Sequence, residues 1–264
     1  MILNILVQSI ILVILYFSFI YILSRLETRV DIVDTSFGIG FIVLSIYFFV
    51  HNILLNPGLM RKIIVTTLVI IWGMRLSYHV YGRSKDSPDN SRYQNIILKW
   101  SNHIELKKYF YIFLPQGLII LFILSSVIFI DYKSTTSLGI LDLVGILIWI
   151  FGFLFESISD SQLTKFISYN DNKDKIMSEG LWQYTRHPNY FGEIVQWFGI
   201  FIIALSIRYG YIFMISPIAI YILLVYISGI PIIEKNYEDR LGWEDYKKKT
   251  SKLFPLPSKK SNEY

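Results

Sequence analysis

Seven apolar runs, each near the length of a bilayer-crossing helix, fix what this chain can become. They cover roughly 2–23, 32–50, 62–81, 109–130, 138–156, 189–207 and 210–230. An α-helix rises about 1.5 Å per residue, so a run of about 20 residues crosses a hydrocarbon layer about 30 Å thick. A hydrophobic share of 53%, with only 17% charged residues, excludes an ordinary soluble domain of this size. The expectation is an all-α transmembrane bundle of about seven spans. It forms a single integral-membrane domain over residues 1–264, with a polar tail from 231. The first run lacks a basic leading segment and a small-residue cleavage pattern before Ser24-Arg25, so it reads as a retained helix. No internal repeat stands out. The absence of cysteine excludes disulfides, thiolate nucleophiles and cysteine-ligated metals.

The basic residues orient the bundle. With seven spans, the connections 24–31, 82–108 and 157–188 and the tail lie on one side and carry twenty Lys or Arg; the other side carries Arg61, Lys62, Lys133 and Arg208. Positive charge collects on the cytoplasmic face, so the C-terminus is expected inside and the N-terminus outside. The formal charge of +5 follows from those loops and anionic lipid, not from nucleic acid. No protein partner is evident.

Against this apolar background the stretch Gly180-Leu-Trp-Gln-Tyr-Thr-Arg-His-Pro-Asn-Tyr-Phe-Gly-Glu193 stands apart. Polar groups at membrane depth are costly, and their clustering marks a candidate site. Pro188 fits the first turn of a helix, which sets Arg186 and His187 at its entrance. Arg186, Asn189 and Glu193 then share one face. Free N–H groups at a helix start beside a guanidinium suit a phosphate or carboxylate.

Other polar residues repeat the theme. Glu156 and Asp160 are four apart at the end of the fifth run and share a helical face. They suit ribose hydroxyls, a basic partner such as Arg186, an acid/base role, or plain solvation at a helix end. The third run ends with Arg75, Tyr78 and His79; Arg75 either snorkels to the interface or joins His79 in a site. Asp31 reads as a helix-start cap, while Asp34 lies deeper; Gly38 and Gly40 permit close helix packing. Arg92, in the basic 82–108 connection, is a candidate for a nucleotide 2′-phosphate. Four scattered histidines show no metal-ligand spacing, and no glycine-rich phosphate loop follows a strand.

Glu156-x-x-x-Asp160-x-Gln162-Leu163, followed by Gly180-Leu-Trp-x-Tyr184-x-Arg186-His187-Pro188-Asn189-Tyr190-Phe191-Gly192-Glu193-x-x-x-Trp197, resembles the C-terminal domain of the steroid 5-alpha-reductase superfamily. Ser228-Gly-Ile-Pro-Ile-Ile-Glu234-Lys235, Gly242-Trp-x-x-Tyr246 and Leu253-Phe-Pro255 resemble its bacterial branch, as do Trp72-Gly-Met-Arg75-Leu, Arg92-Tyr93 and Asp34 with its two glycines. The likeness covers about residues 30–257. It implies a seven-helix protein of the bacterial inner membrane that binds NADPH from the cytoplasmic side and reduces an activated carbon–carbon double bond in a lipophilic, steroid- or isoprenoid-like substrate. It implies nucleotide contacts from Asp160, Asn189 and Glu193, with Glu156, Arg186, His187, Tyr190 and Tyr246 in the same motifs. Steroid reductases also carry a Glu–Tyr pair that polarises the substrate carbonyl. Here Trp72 lies near the expected Tyr, and Asp34, Arg75, Tyr78 and His79 are the catalytic candidates.

Tyr-x-Arg-His-Pro-x-Tyr-x-Gly is also similar to isoprenylcysteine and phospholipid methyltransferases. That alternative implies S-adenosylmethionine held by Arg186, His187 and Glu234. A non-enzymatic membrane protein is a third class, disfavoured because the polar groups gather at one rim and not at the midplane of repeated, broken helices.

Overall fold

The structure, a computed structural model, describes residues 2–53, 58–86, 91–134, 137–169, 172 and 175–258; the side chains of 2, 3, 83–86, 91 and 92 lie outside that description. The regular elements of the described residues are all helices, and their one β-bridge joins Thr185 to Ser251. Among the described residues, six helices are long and apolar enough to cross a membrane. The run expected over 189–207 corresponds to a helix of 17 residues, Pro188–Ala204, buried at most positions. The chain divides into two compact units, residues 1–138 with 207–215, and residues 139–206 with 216–264.

The first unit contains α1 (Ile2–Leu26), α2 (Ile32–Asn52), α3 (Leu59–Asp86), the short α4 (Ser91–Ile97) and α5 (Ile104–Lys108), and α6 (Leu114–Lys133). A π-helical turn, Tyr109–Phe113, leads from α5 into α6. Small residues set the spacing of α2 and α3, as Gly38 leads one to expect. A methyl group on Gly38 would lie 2.6 Å from the Gly73 carbonyl oxygen, and one on Gly73 would lie 2.8 Å from that of Gly38. Beside this crossing Phe41 meets Trp72 edge to face at 4.9 Å. Phe17 on α1 and Ile120 and Val127 on α6 are fully buried. Lipid offers no hydrophobic contrast to such side chains, so close packing and internal hydrogen bonding carry the association.

Arg61 and Lys62, counted above as loop cations, are almost wholly buried. Arg61 donates to Ser134 Oγ at 2.9 Å and to the Ser137 carbonyl at 2.9 Å, while Lys62 donates to the Asn52 carbonyl at 2.7 Å. Lys62 thus meets the carbonyl of the last residue of α2, where the helix dipole favours positive charge, and Arg61 the hydroxyl that caps α6 and a carbonyl of the following connection. Asp31 also differs from expectation. It occupies the N-cap position of α2 without a capping bond and pairs with Arg29 at 2.5 Å. A guanidinium two residues away offers its carboxylate a charge-assisted bond, stronger than one to a neutral backbone N–H.

The second unit holds α7 (Ile140–Ser168), α8 (Pro188–Ala204), α9 (Ile215–Ile222, from Ser216 onward in this unit), α10 (Ile230–Lys235) and α11 (Trp243–Lys249). A π-helical turn, Leu223–Ile227, separates α9 from α10. α8 begins at Pro188, where the missing N–H costs nothing. α7 and α8 run antiparallel and touch through glycines. A methyl group on Gly145 would lie 2.5 Å from the Gly199 carbonyl, and one on Gly152 would lie 2.6 Å from that of Gly192. Such a seam needs residues without side chains at two levels, which Gly145/Gly199 and Gly152/Gly192 supply.

Candidate functional site

The α7–α8 seam brings Glu156 and Gln196 together. Gly192 packs on the backbone of Glu156, and Gln196, one turn further along α8, donates from Nε2 to Glu156 Oε2 at 2.5 Å. Extending the same antiparallel register by one turn sets Asp160 opposite the residues that open α8. Glu156, Asp160, Glu193 and Gln196 are all buried. The Oε1 atom of Gln196 and the Oδ1 atom of Asn189 are buried without a hydrogen-bond partner among the described residues. A buried acceptor left unmet costs about 1–3 kcal/mol, so native proteins keep few of them away from binding sites.

The segment before α8 is built from the C-terminal residues. Gly180 adopts a left-handed φ of +60°, which turns the chain so that Leu181 N–H meets Gln162 Oε1 at 3.0 Å. Trp182 donates from its indole to the Ser159 carbonyl, and Tyr246 donates to the Trp182 carbonyl at 2.6 Å. Thr185 Oγ1 donates to the Leu253 carbonyl, and Arg186 N–H to that of Ser251. Tyr246 is thus a buried strut, its phenol pushed up from its ordinary value by burial.

Arg186 is the centre of this assembly. Its Nε and Nη2 each lie 2.9 Å from Glu234 Oε1, and Nη1 donates to the carbonyls of Thr250 at 2.7 Å and Lys247 at 3.1 Å. The guanidinium lies 5.8 Å from the Trp243 ring centroid, within cation–π range. His187 Nε2 is 3.0 Å from the same Glu234 oxygen, and its ring stacks on Tyr190 at 5.7 Å. Where the sequence suggests a guanidinium facing an anion, these bonds turn it to the protein's own acceptors. Three of them are carbonyl or carboxylate groups 48 to 64 residues away.

In the first unit, Tyr93 donates to Asp34 Oδ1 at 2.5 Å, and Gln116 Nε2 reaches the Tyr93 oxygen at 3.4 Å. Tyr93 is 5% exposed. Tyr78, nominated as a donor from sequence, is 81% exposed: Ser77 faces α2, and a helical step of about 100° turns Tyr78 outward. Arg75 and His79 are half-buried on the same helix. The side chain of Arg92 lies outside the described residues.

Sequence reasoning missed Gln196 and Tyr93. Gln196 stands seven residues after Asn189 and three after Glu193, a helical-face signal that was available. Tyr93 enters the sequence reading only through the Arg92-Tyr93 likeness, with no role given to it, and its burial depends on tertiary packing.

These features define an integral membrane protein of the all-helical class, with a polar row between two closely packed helices. Residues 20–250 match the family described as Protein of unknown function (DUF1295), and the chain belongs to it. The chain is 25% identical over 183 residues to an uncharacterized protein of Schizosaccharomyces pombe (strain 972 / ATCC 24843), covering 60% of this chain and 52% of that one. It is 30% identical over 114 residues to 3-oxo-5-alpha-steroid 4-dehydrogenase 1 of Bos taurus, covering 43% and 41%. The chain therefore spans about half of those relatives' length or less. No solved structure matches it significantly. Family membership and the bovine match bear out the resemblance to the steroid 5-alpha-reductase superfamily.

Proposed function

We propose that this protein is a membrane-embedded, NADPH-dependent reductase of a polarised carbon–carbon double bond in a lipophilic, steroid- or isoprenoid-like substrate. We place it in a bacterial inner membrane with its C-terminus cytoplasmic. The observation that carries the cofactor part is the α7–α8 row, with its unmet buried acceptors Asn189 Oδ1 and Gln196 Oε1. The acids Glu156, Asp160 and Glu193 beside them repel phosphates and suit neutral donors, the ribose hydroxyls or carboxamide of a nucleotide. The residues present thus fit the nicotinamide-ribose end of NADPH, and Asp160, Asn189 and Glu193 would hold it. NADPH, when bound, supplies the hydride that reduces the alkene.

Reduction of an enone adds hydride at the β-carbon, leaves negative charge on the carbonyl oxygen as an enolate, and then needs a proton at the α-carbon. In the first unit Tyr93 is the donor suited to that oxygen, and Asp34 fixes the direction of its O–H. Gln116 offers a further N–H to the phenol oxygen. Tyr93 therefore takes the place that Tyr78 holds in the sequence reading, with Asp34 kept and Arg75 and His79 as further polar neighbours on α3.

The methyltransferase alternative would use Arg186, His187 and Glu234 to hold S-adenosylmethionine. Arg186 and His187 each pair with Glu234 here, so the guanidinium and the carboxylate are already engaged, which favours the reductase. Titrating detergent-solubilised protein with NADPH and with S-adenosylmethionine separates the two. Asn189→Ala and Glu193→Ala should each weaken NADPH binding about tenfold, the loss of one charge-assisted or buried hydrogen bond. Unchanged affinity in both variants, or saturable binding of S-adenosylmethionine alone, would refute the proposal.

A further inference from the structure

The Arg186–Glu234–His187 cluster fixes more than the C-terminal fold. A carboxylate paired with a guanidinium has no proton to give, so the 3.0 Å contact between His187 Nε2 and Glu234 Oε1 is a bond only when Nε2 carries the hydrogen. His187 is 2% exposed, and burial holds its imidazolium below the ordinary range. The bond to Glu234 pulls the other way, while Arg186 and Lys252 add repulsion. A neutral ring protonated at Nε2 leaves Nδ1 with a lone pair. That nitrogen has no hydrogen-bond partner among the described residues. Two residues on, Asn189 Oδ1 is also unmet.

We propose that His187 Nδ1 is an acceptor subsite for a neutral N–H or O–H donor of the bound nucleotide, and that Glu234 is the positioning residue that sets its tautomer. This rests on the NADPH reading and adds to it an acceptor and its mode of control. An unprotonated ring nitrogen repels phosphate and accepts from a carboxamide or a ribose hydroxyl. Arg186 in turn locks Glu234, so its contribution to binding is indirect.

Nitrogen-15 NMR of histidine-labelled protein tests this directly, because the chain has only four histidines and His187→Gln identifies the resonance by its loss. The ligand-free protein should show an Nε2–H tautomer with an unbonded Nδ1. NADPH should move Nδ1 toward the shift of a hydrogen-bonded nitrogen. With 2′,5′-ADP as probe, movement assigns the donor to the adenosine half, and no movement assigns it to the nicotinamide half; NADPH must move the resonance in both cases. Glu234→Gln should mix the tautomers and weaken NADPH binding about fivefold to tenfold, the loss of one neutral hydrogen bond. Should that variant fail to fold, the wild-type titration still decides. An Nδ1–H tautomer, or NADPH binding seen by tryptophan quenching with Nδ1 unmoved, overturns this inference and leaves the reductase reading standing. Absence of NADPH binding overturns both.

Discussion

Gly192→Ala tests whether the α7–α8 seam is as tight as its glycines imply. The added methyl would lie 2.6 Å from Glu156 N, 2.6 Å from the Gly152 carbonyl oxygen and 2.8 Å from Glu156 Cβ. Ordinary contact begins at 3.4 Å, so the helices must part by about 0.8 Å. Two of the three obstructing atoms are backbone, and no rotamer change relieves them. Overpacking of this kind costs about 1–3 kcal/mol. Stretching the buried Glu156–Gln196 bond adds about 1 kcal/mol. Against this stands the helix preference for Ala over Gly, about 1 kcal/mol. The net expectation is a loss of about 1–3 kcal/mol.

Gly82→Ala is the matched control, because a methyl there meets nothing within 4 Å and retains only the favourable propensity term. The two substitutions should therefore move stability in opposite directions. Reversible unfolding in mixed detergent micelles, followed by tryptophan fluorescence, measures both. A Gly192→Ala protein as stable as the wild type, or more so, would refute the close approach and with it the register that sets Asp160 opposite the start of α8.

Two more expectations follow from single groups. Tyr93→Phe removes the donor next to Asp34 and should lower kcat for an enone substrate about 10²- to 10³-fold with little change in NADPH affinity; Tyr78→Phe should leave kcat within about twofold, and the reverse ranking would refute the assignment. His187 is held below its ordinary value of 6.5, so below that pH the unfolded chain binds more protons than the folded one. The stability it contributes is complete above pH 6.5 and is lost as pH falls toward the lowered folded value. Thermal midpoints measured across that window should drop on acidification, and His187→Gln should flatten the drop; identical slopes in the two proteins would refute it.

What the sequence made legible was local or periodic. The apolar runs carry their own length, Pro188 marks the first turn of α8, and Gly38 announces a close crossing, because each needs only its neighbours or a helical period to be read. Partners are another matter. In an apolar chain a buried charge must be matched, so Arg186 is conspicuous, yet nothing in its motif says that it meets the carbonyls of Lys247 and Thr250. Backbone acceptors have no letter in a sequence, and those that bind Arg186 are supplied by the C-terminal fold. The same blindness made Asp31 look like a cap when Arg29 takes its carboxylate, and made Arg61 and Lys62 look like loop cations when buried carbonyls and a hydroxyl accept their hydrogen bonds. Tyr93 is the sharper case: its phenol is nominated for catalysis by Asp34, 59 residues earlier, and only folding brings the two together. A polar residue in such a chain tells the reader that a partner exists, and its bonding then decides the role. Arg186 has its donors directed into the protein and so positions, whereas Asn189 and His187 keep unmet acceptors and so remain able to bind.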